Sequence, residues 1–544
     1  MAAELKIALI QENFLVGDSF GNTDKIINQA QQQAELGMDL VVFPELAISG
    51  YPPEDLLLRP AFLQQIESCI EKIKQQVKTI DIVFGAPRSG VGDEAGMLFN
   101  SAFWIRNGET IAVYDKSDLP NYAVFDEKRY FTAVNRSTVV ELNGHRFGLL
   151  ICEDIWRPEP AKAAAKAGAE HLLVLNASPF HRHKQQQRVA EIKQRIIETD
   201  CHLYYLNMVG GQDELVFDGA SIVINKQQQT VARAAAFAVS QLSLTLTADG
   251  SLQNNGNNEE QPDDLASVYQ ALVLGVRDYV EKNGFKGVLI GLSGGIDSAL
   301  TLAIAVDAIG AERTRAVMMP SRYTADMSFQ DAESEATTLA VDYQIISIER
   351  PFNAFLETLD EPLLKGTEVD TTEENIQARC RGIMLMAISN KTGFMVLTTG
   401  NKSEMAVGYA TLYGDMSGGF APLKDISKTL VYELSRYRNS LSKVIPDRVL
   451  TRPPSAELAP DQQDQDSLPP YDIIDAILQM SVEQDMSVAA IVKAGYDLAT
   501  VERIITMVQR NEYKRRQAAP GVRITRRAFG RDRRYPITSG YRRK

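Results

Sequence analysis

The sequence predicts an α/β protein of two domains, a layered α/β domain over residues 1–247 and a doubly wound parallel sheet over residues 265–544. Three observations carry that expectation. Short β-rich runs alternate with helix-period segments along most of the chain. Residues 248–264, Ala-Asp-Gly-Ser-Leu-Gln-Asn-Asn-Gly-Asn-Asn-Glu-Glu-Gln-Pro-Asp-Asp, hold almost no apolar side chain and read as a linker. The apolar run Val288–Leu292 leads through Ser293-Gly294-Gly295 into a helical segment, the strand–turn–helix unit of an open parallel sheet.

Taken in order, the first domain shows strand signals at Lys6–Ile10, Leu40–Phe43, Ile82–Phe84, Ile111–Tyr114, Phe147–Ile151, Leu172–Leu175, Leu203–Met208 and Ser221–Ile224. Each is a short run rich in Val, Ile, Leu, Phe or Tyr. Asn22–Leu36 and Glu159–Ala167 are helical segments between them. The second domain repeats the alternation with strands at Val288–Leu292, Arg315–Met319, Gln344–Ser347 and Met395–Thr398. Thr371-Thr372-Glu373-Glu374 gives a capping-box start to a long helix. The polar, proline-punctuated stretch from Ala459 to Pro470 reads as a surface loop or a lid.

A chain of 544 residues with 44% apolar and 23% charged side chains has ample material for two cores. No apolar run reaches membrane-spanning length, and Met1–Ile10 reads as a strand rather than a signal segment, so the cytoplasm is the expected compartment. Cys69, Cys152, Cys201 and Cys380 are scattered, which suggests neither a disulfide framework nor a zinc site. His181 and His183 lie close together with no further His/Cys partner, so they do not read as a metal site. The net charge of −13 divides unevenly: residues 511–544 carry twelve Lys/Arg against Glu512 and Asp532, a net of +10, leaving −23 on the rest. That acidic remainder would repel a polyanion, so the basic end is expected to meet a small anionic substrate or a partner subunit rather than nucleic acid.

Three polar residues stand just beyond apolar strands in the first domain: Glu45 after Val41-Val42-Phe43-Pro44, Lys116 after Val113-Tyr114-Asp115, and Cys152 after Leu149-Leu150-Ile151. Strand ends on one edge of a sheet converge, so a carboxylate, an ammonium and a thiol can share a pocket. Lys116 would favour the thiolate and stabilise a developing oxyanion, and Glu45 would accept the thiol proton.

In the second domain, two adjacent glycines let backbone N–H groups close around an anion at a helix N-terminus, with Ser293 and Ser298 offering hydroxyls. The loop lacks the lysine of kinase-type phosphate loops. Asp297 instead puts a carboxylate beside bound phosphates, where a magnesium ion could be shared. Glu404, in Thr398-Thr399-Gly400-Asn401-Lys402-Ser403-Glu404, could complete that site. Asn375 and Arg379 fall on one helix face.

The first-domain residues resemble those of the nitrilase, or carbon–nitrogen hydrolase, superfamily, whose Glu-Lys-Cys triad appears in this order. The likeness spans nearly all of residues 4–245. It includes Gln11-x-Asn13-x-x-Val16-Gly17-Asp18, Phe43-Pro44-Glu45-Leu46 with Ser49-Gly50-Tyr51, Asp115-Lys116, Ile151-Cys152-Glu153-Asp154 and Asn176-Ala177-Ser178-Pro179. It implies an α-β-β-α sandwich, with Glu45 as base, Lys116 as stabiliser and Cys152 as nucleophile. Tyr122, Ser178 and Lys184 match positions that hold glutamine in the glutaminase branch. Glu127 stands between two readings, a support for Lys116 and a helix-surface residue.

Ser293-Gly294-Gly295-Ile296-Asp297-Ser298 resembles the pyrophosphate loop of ATP pyrophosphatases, in a sheet of the adenine nucleotide alpha hydrolase kind. With the segments around Asn375–Arg381, Thr398–Glu404 and Asn511–Gln517, the whole chain is similar to the glutamine-dependent NAD synthetase family. The resemblance implies an ATP site at Gly291, Leu292, Ser293, Gly294, Gly295, Ile296, Asp297 and Ser298, with Thr399, Lys428 and Ser455. It implies magnesium on Asp297 and Glu404, and deamido-NAD on Asn375, Arg379, Glu404, Asp415 and Lys514. Glutamine, ATP and deamido-NAD are then the substrates, and a homo-oligomer the expected assembly. Ala518-Ala519 departs from the family's proline-rich continuation. Two alternatives are an amidotransferase for another adenylated substrate and a sensor with dead sites. The Asn375–Arg381 and Lys514 segments argue against the first, and the complete triad and loop against the second.

Overall fold

A computed structural model describes residues 2–256, 258–460 and 462–541. The chain divides into two compact units, one running to Gln212 and including Val216–Asp263, the other comprising Asp213–Leu215 and the chain from Asp264 onward.

In the first unit a seven-stranded sheet runs in the order Leu252–Asn254, Ser240–Leu246, Leu5–Gln11, Leu40–Val42, Asp81–Ser89, Leu98–Arg106, Glu109–Asp115. Leu5–Gln11, Leu40–Val42 and Asp81–Ser89 are mutually parallel, and the flanking strands return antiparallel. A six-stranded sheet follows the order Thr230–Arg233, Ile222–Ile224, His202–Asn207, His171–Asn176, His145–Ile151, Val139–Leu142. Its three central parallel strands are in register at Phe147, His171 and His202. The inner faces share one core, in which Leu5, Ile7, Leu9 and Trp104 of the first sheet join Phe147, Leu149, Leu173 and Tyr204 of the second. Helices Ser19–Glu35 and Pro60–Gln76 pair with each other, and Pro60–Gln76 packs on Asp81–Ser89; Pro158–Lys166 and Lys184–Thr199 pair and pack on strands of the second sheet. The result is an α-β-β-α sandwich. Strands such as Leu40–Val42 and His171–Asn176 are buried throughout because both faces are covered, which is why they read as continuous apolar runs.

The structure adds strands that the sequence reading did not contain. Ser240–Leu246 alternates, with Leu242, Leu244 and Leu246 buried, and Leu98–Arg106 is buried on both faces, at Phe99, Phe103 and Ile105 on one and Trp104 on the other. Residues 252–254, inside the stretch read as a linker, form an edge strand against Leu244–Leu246, because Leu252 reaches the core.

The second unit holds a four-stranded, wholly parallel sheet in the order Asp342–Ile345, Thr314–Met318, Val288–Gly291, Met395–Leu397. In chain order this is third, second, first, fourth, so the winding reverses between Val288–Gly291 and Met395–Leu397. Open sheets bind ligands at that reversal, beyond the carboxyl ends of the strands. Helices Asp264–Lys282, Ile296–Ile309 and Lys428–Leu441 pack together, while Thr371–Thr392 packs with Glu349–Leu359 and against Val288–Gly291 and Met395–Leu397. The long helix is capped by Asp370 rather than Thr371: Asp370 accepts from the Thr372 N–H and Glu373 from the Asp370 N–H. A helical cluster of Tyr471–Leu478, Val488–Lys493 and Leu498–Arg510 closes over Ala406, Val407 and Phe529. In the Ala459–Pro470 stretch, Asp461 lies outside the described residues, and Asp464 is buried, accepting from the Tyr471 hydroxyl at 2.8 Å. Among the described residues no helix is long and apolar enough to cross a membrane.

Candidate active sites

Cys152 follows strand His145–Ile151 directly and opens a 3₁₀ turn, Cys152–Trp156. Its φ of 45° lies in the left-handed region, a conformation that costs a side-chain-bearing residue about 1–2 kcal/mol. The thiol is buried and feels the charges of Glu45, Lys116 and Glu127. The Lys116 ammonium is completely buried and donates to Glu45 Oε1 at 2.8 Å and to both Glu127 oxygens at 2.9 Å. Asn100 Nδ2 and the Ala177 N–H donate to the two oxygens of Glu45 at 2.7 and 2.9 Å. The Tyr51 hydroxyl donates to Glu127 at 2.8 Å. Glu127 therefore supports Lys116; it is not a helix-surface residue.

The electrostatics follow from burial. Burial pushes the Cys152 thiol well above its ordinary range, Glu45 adds to this, Lys116 opposes it and Glu127 adds again. The ammonium pulls toward the thiolate, as expected, against burial and the neighbouring carboxylates. Burial alone would lower Lys116, but Glu127 and Glu45 hold it well above its usual value. Burial raises Glu127 to about 7 against the pull of Lys116.

Two of the three expected glutamine contacts, Tyr122 and Lys184, lie against the same turn. Tyr122 is exposed and donates to both oxygens of Glu153, the neighbour of Cys152, at 3.0 and 2.9 Å. Lys184, at the start of its helix, holds its ammonium 3.7 Å from the centre of the Trp156 ring. Ser178 stands one residue beyond Ala177, with its N–H bonded to Asn207 at 2.9 Å and its hydroxyl accepting from Arg188 at 3.3 Å. Arg188 is itself fully buried against Asp218 at 2.7 Å.

In the second unit Gly291 ends its strand, the Leu292 N–H donates to Val317 O at 3.0 Å, and Ile296 opens the helix. Between them the loop is tied to itself: Ser298 Oγ accepts from the Ser293 N–H at 3.2 Å and donates to Gly295 O at 2.9 Å, and the Gly295 N–H donates to Ser293 Oγ at 3.2 Å. Gly294 has φ +76°, and Arg452 holds its carbonyl at 2.7 Å. Asp297, in the first turn, meets Lys428 at 2.6 Å and Asn401 at 2.8 Å; the same Lys428 ammonium donates to Glu404 at 2.9 Å. Lys428 is buried. Burial raises the Glu404 carboxyl to about 7, Lys428 opposes this and Asp297 adds to it.

Thr399 lies half-buried two residues past Met395–Leu397. The Ser455 hydroxyl bonds within its own loop, to Gln462 O and the Glu457 N–H, and it is Arg452 of the same segment that touches the glycine loop. Asn375, Arg379, Asp415 and Lys514 converge on one stretch of chain. Thr411 donates its hydroxyl to Asn375 at 2.7 Å and its N–H to Asp415 at 2.6 Å, Arg379 reaches Leu412 O at 3.3 Å, and Lys514 reaches Gly408 O and Ala410 O at 2.9 and 2.8 Å.

Among the described residues no group of three or more His, Cys, Asp or Glu could enclose a metal. Asp297 and Glu404 nonetheless give two hard oxygen donors that share one ammonium, which suits magnesium, an ion usually held by one or two carboxylates plus substrate phosphates. Sequence reasoning missed Asn100, Arg188 and Arg452 and gave Tyr51 no role, because their partners are remote in the chain. Asn401 was findable, since an Asn with Glu three residues later is an N-terminal helix signal, and Asn401 caps Lys402–Val407.

A buried thiol–lysine–carboxylate site on one fold and a phosphate loop with paired carboxylates on another have the layout of an ATP-using amidotransferase. The carbon–nitrogen hydrolase family model matches residues 6–253, and the NAD synthase model matches residues 268–518. The chain is 49% identical to a glutamine-dependent NAD(+) synthetase of Acinetobacter baylyi, over 99% of each protein. It is 42% identical to one of Aquifex aeolicus, over 99% of this chain and 100% of that protein. The solved structure of the glutamine-dependent NAD+ synthetase of Acinetobacter baumannii in complex with ADP aligns with a TM-score of 0.81 at 46% identity, covering 99% of this chain and 100% of that one. The chain belongs to the glutamine-dependent NAD synthetase family.

Proposed function

We propose that this enzyme amidates deamido-NAD to NAD, with ATP as co-substrate and ammonia taken from glutamine. The observation that carries the reading is the Lys116 ammonium, buried between Glu45 and Glu127 beside the left-handed Cys152, in a chain that also holds the Ser293–Ser298 loop. Glu45 accepts the thiol proton as Cys152 Sγ attacks the glutamine side-chain amide, and Lys116 stabilises the tetrahedral oxyanion. Collapse forms a thioester, and Glu45 returns the proton to the departing nitrogen, releasing ammonia. Water, deprotonated by Glu45, then cleaves the thioester to glutamate. Tyr122, Ser178 and Lys184 orient the glutamine.

In the second unit the nicotinate carboxylate of deamido-NAD attacks the α-phosphorus of ATP, and pyrophosphate leaves into the loop Gly291–Ser298. Ammonia then attacks the activated acyl carbon, and AMP departs. Asp297 and Glu404 would hold magnesium, which would supply charge neutralisation for the polyphosphate. Thr399, Lys428 and Ser455 serve ATP, and Asn375, Arg379, Glu404, Asp415 and Lys514 the dinucleotide. The enzyme works in the cytoplasm as a homo-oligomer.

The test is synthesis of NAD from ATP, deamido-NAD and either glutamine or ammonium. Cys152→Ala should abolish the glutamine-driven reaction and retain the ammonium-driven one. Loss of both in a folded variant sinks the division of labour.

A further inference from the structure

We infer that Asp154 is a positioning residue that sets the separation of Cys152 from Lys116 by tying the two strand ends to one buried carboxylate. The residue is completely buried. Its Oδ2 accepts from the Ile151 N–H, directly before Cys152, at 2.9 Å and from the Tyr114 hydroxyl at 2.9 Å. Its Oδ1 accepts from the N–H groups of Ser117 and Asp118, directly after Lys116, at 3.1 and 2.8 Å. Three of the four partners are main-chain N–H groups, which can only donate, and a carboxylate accepts all four, two on each oxygen.

These bonds join the six-stranded sheet, through His145–Ile151, to the seven-stranded sheet, through Glu109–Asp115. Each active-site residue thereby has its neighbouring main chain fixed to a common point. The left-handed φ of Cys152 needs such a restraint, because a strained residue relaxes unless its surroundings hold it. Burial raises the Asp154 carboxyl to about 6, opposed by the hydrogen bonds it accepts from the main chain. An apolar or amide side chain would avoid that burial of charge, so the carboxylate is retained at a cost for what it holds in place.

The inference rests on the proposed roles of Cys152 and Lys116, and its test separates the two. Asp154→Asn keeps size but turns one acceptor into a donor facing N–H groups. Steady-state kinetics with saturating ATP and deamido-NAD, run with glutamine and with ammonium, should show the ratio of glutamine-driven to ammonium-driven turnover falling about 100-fold, the scale of a misplaced reacting group. The loss should sit in kcat, with the glutamine KM within about threefold, as for an interaction made only in the transition state. Tyr114→Phe removes one of the four bonds and should lower the same ratio about three- to tenfold. An unchanged ratio in Asp154→Asn, or, if that variant does not fold, in Tyr114→Phe, overturns the inference, as does a change confined to KM. Cys152→Ala and Lys116→Ala run alongside: if they keep glutamine-driven synthesis, the triad reading itself is wrong, whereas if they lose it and Asp154→Asn does not, the positioning role alone fails.

Discussion

Asp297 and Lys428 form a 2.6 Å ion pair at the point where the parallel sheet of the second unit reverses its winding. Both sit in the first turn of a helix, and the Lys428 ammonium spans the gap to the carboxylate. Removing that charge should disable nucleotide chemistry at its centre. Asp297→Asn is expected to lower NAD synthesis at least 100-fold with either nitrogen source, while glutamine hydrolysis persists. Retention of ammonium-driven synthesis would exclude Asp297 from the metal site.

Glu404 predicts a pH dependence of metal binding. Its carboxyl sits at about 7, above the ordinary 4.5, so below that pH the metal-free enzyme holds a proton that a divalent ion must displace. Magnesium affinity should therefore rise with pH up to about 7, by close to tenfold per unit for one proton exchanged, and level off above it. Isothermal titration between pH 5.5 and 8 measures this. Affinity independent of pH would show that Glu404 is not a ligand.

The triad should fail as one unit. Lys116→Ala removes the ammonium that joins two buried carboxylates, Glu45 and Glu127. Glutamine-driven kcat is expected to fall by roughly 10³-fold or more in Lys116→Ala, in Glu45→Gln and in the double variant alike, because members of a catalytic set are not additive. Additive losses in the double variant would mean independent roles.

Lys514 differs from a free tail cation, since its ammonium already donates to Gly408 O and Ala410 O. Lys514→Ala should raise the KM for deamido-NAD about tenfold, the value of a charge-assisted hydrogen bond, with ATP and glutamine changed less than about twofold. Equal effects on all three substrates would assign Lys514 to holding residues 408–410 and not to the dinucleotide.

Three of the five histidines, His145, His171 and His202, meet at the amino ends of adjacent parallel strands, His202 stacked on His171 and His145 edge-on to it. Burial pushes His171 down to about 2, with His202 and His145 adding to it, and pushes His202 down to about 4, with Lys226 adding and Asp200 opposing. The folded pKa values lie below the unfolded value of about 6.5. Stability from these neutral rings is therefore present above pH 6.5 and lost as the pH falls from there toward the folded values. Tm should decline between pH 7 and 5, and His171→Phe should flatten that decline. An equally steep decline in the variant would place the acid sensitivity elsewhere.

What the sequence made legible follows from how each residue declares itself. Glu45, Lys116, Cys152 and the glycine loop stand at the ends of apolar runs, and strand ends converge in any layered α/β fold. Ser240–Leu246 escaped although Leu242, Leu244 and Leu246 alternate, because single polar residues between them resemble loop composition. Asn100 and Arg188 act through partners remote in the chain, and of the Asp154 contacts only the one to the Ile151 N–H is local. Lys514 was found by its neighbours in sequence, but its two carbonyl partners belong to a segment more than 100 residues away in the chain.

Gly294 and Gly295 look interchangeable on paper, and the fold makes them unequal. A Cβ on Gly294 would stand 2.4 Å from the Ser328 carbonyl oxygen at φ +76°, whereas one on Gly295 would meet nothing nearer than the Ser293 hydroxyl at 3.3 Å, at φ −89°. Alanine at 295 therefore has room if one hydroxyl gives way by a few tenths of an ångström, and alanine at 294 has none. Alanine at 294 should cost the fold far more than alanine at 295, which thermal melts of the two single variants would compare directly.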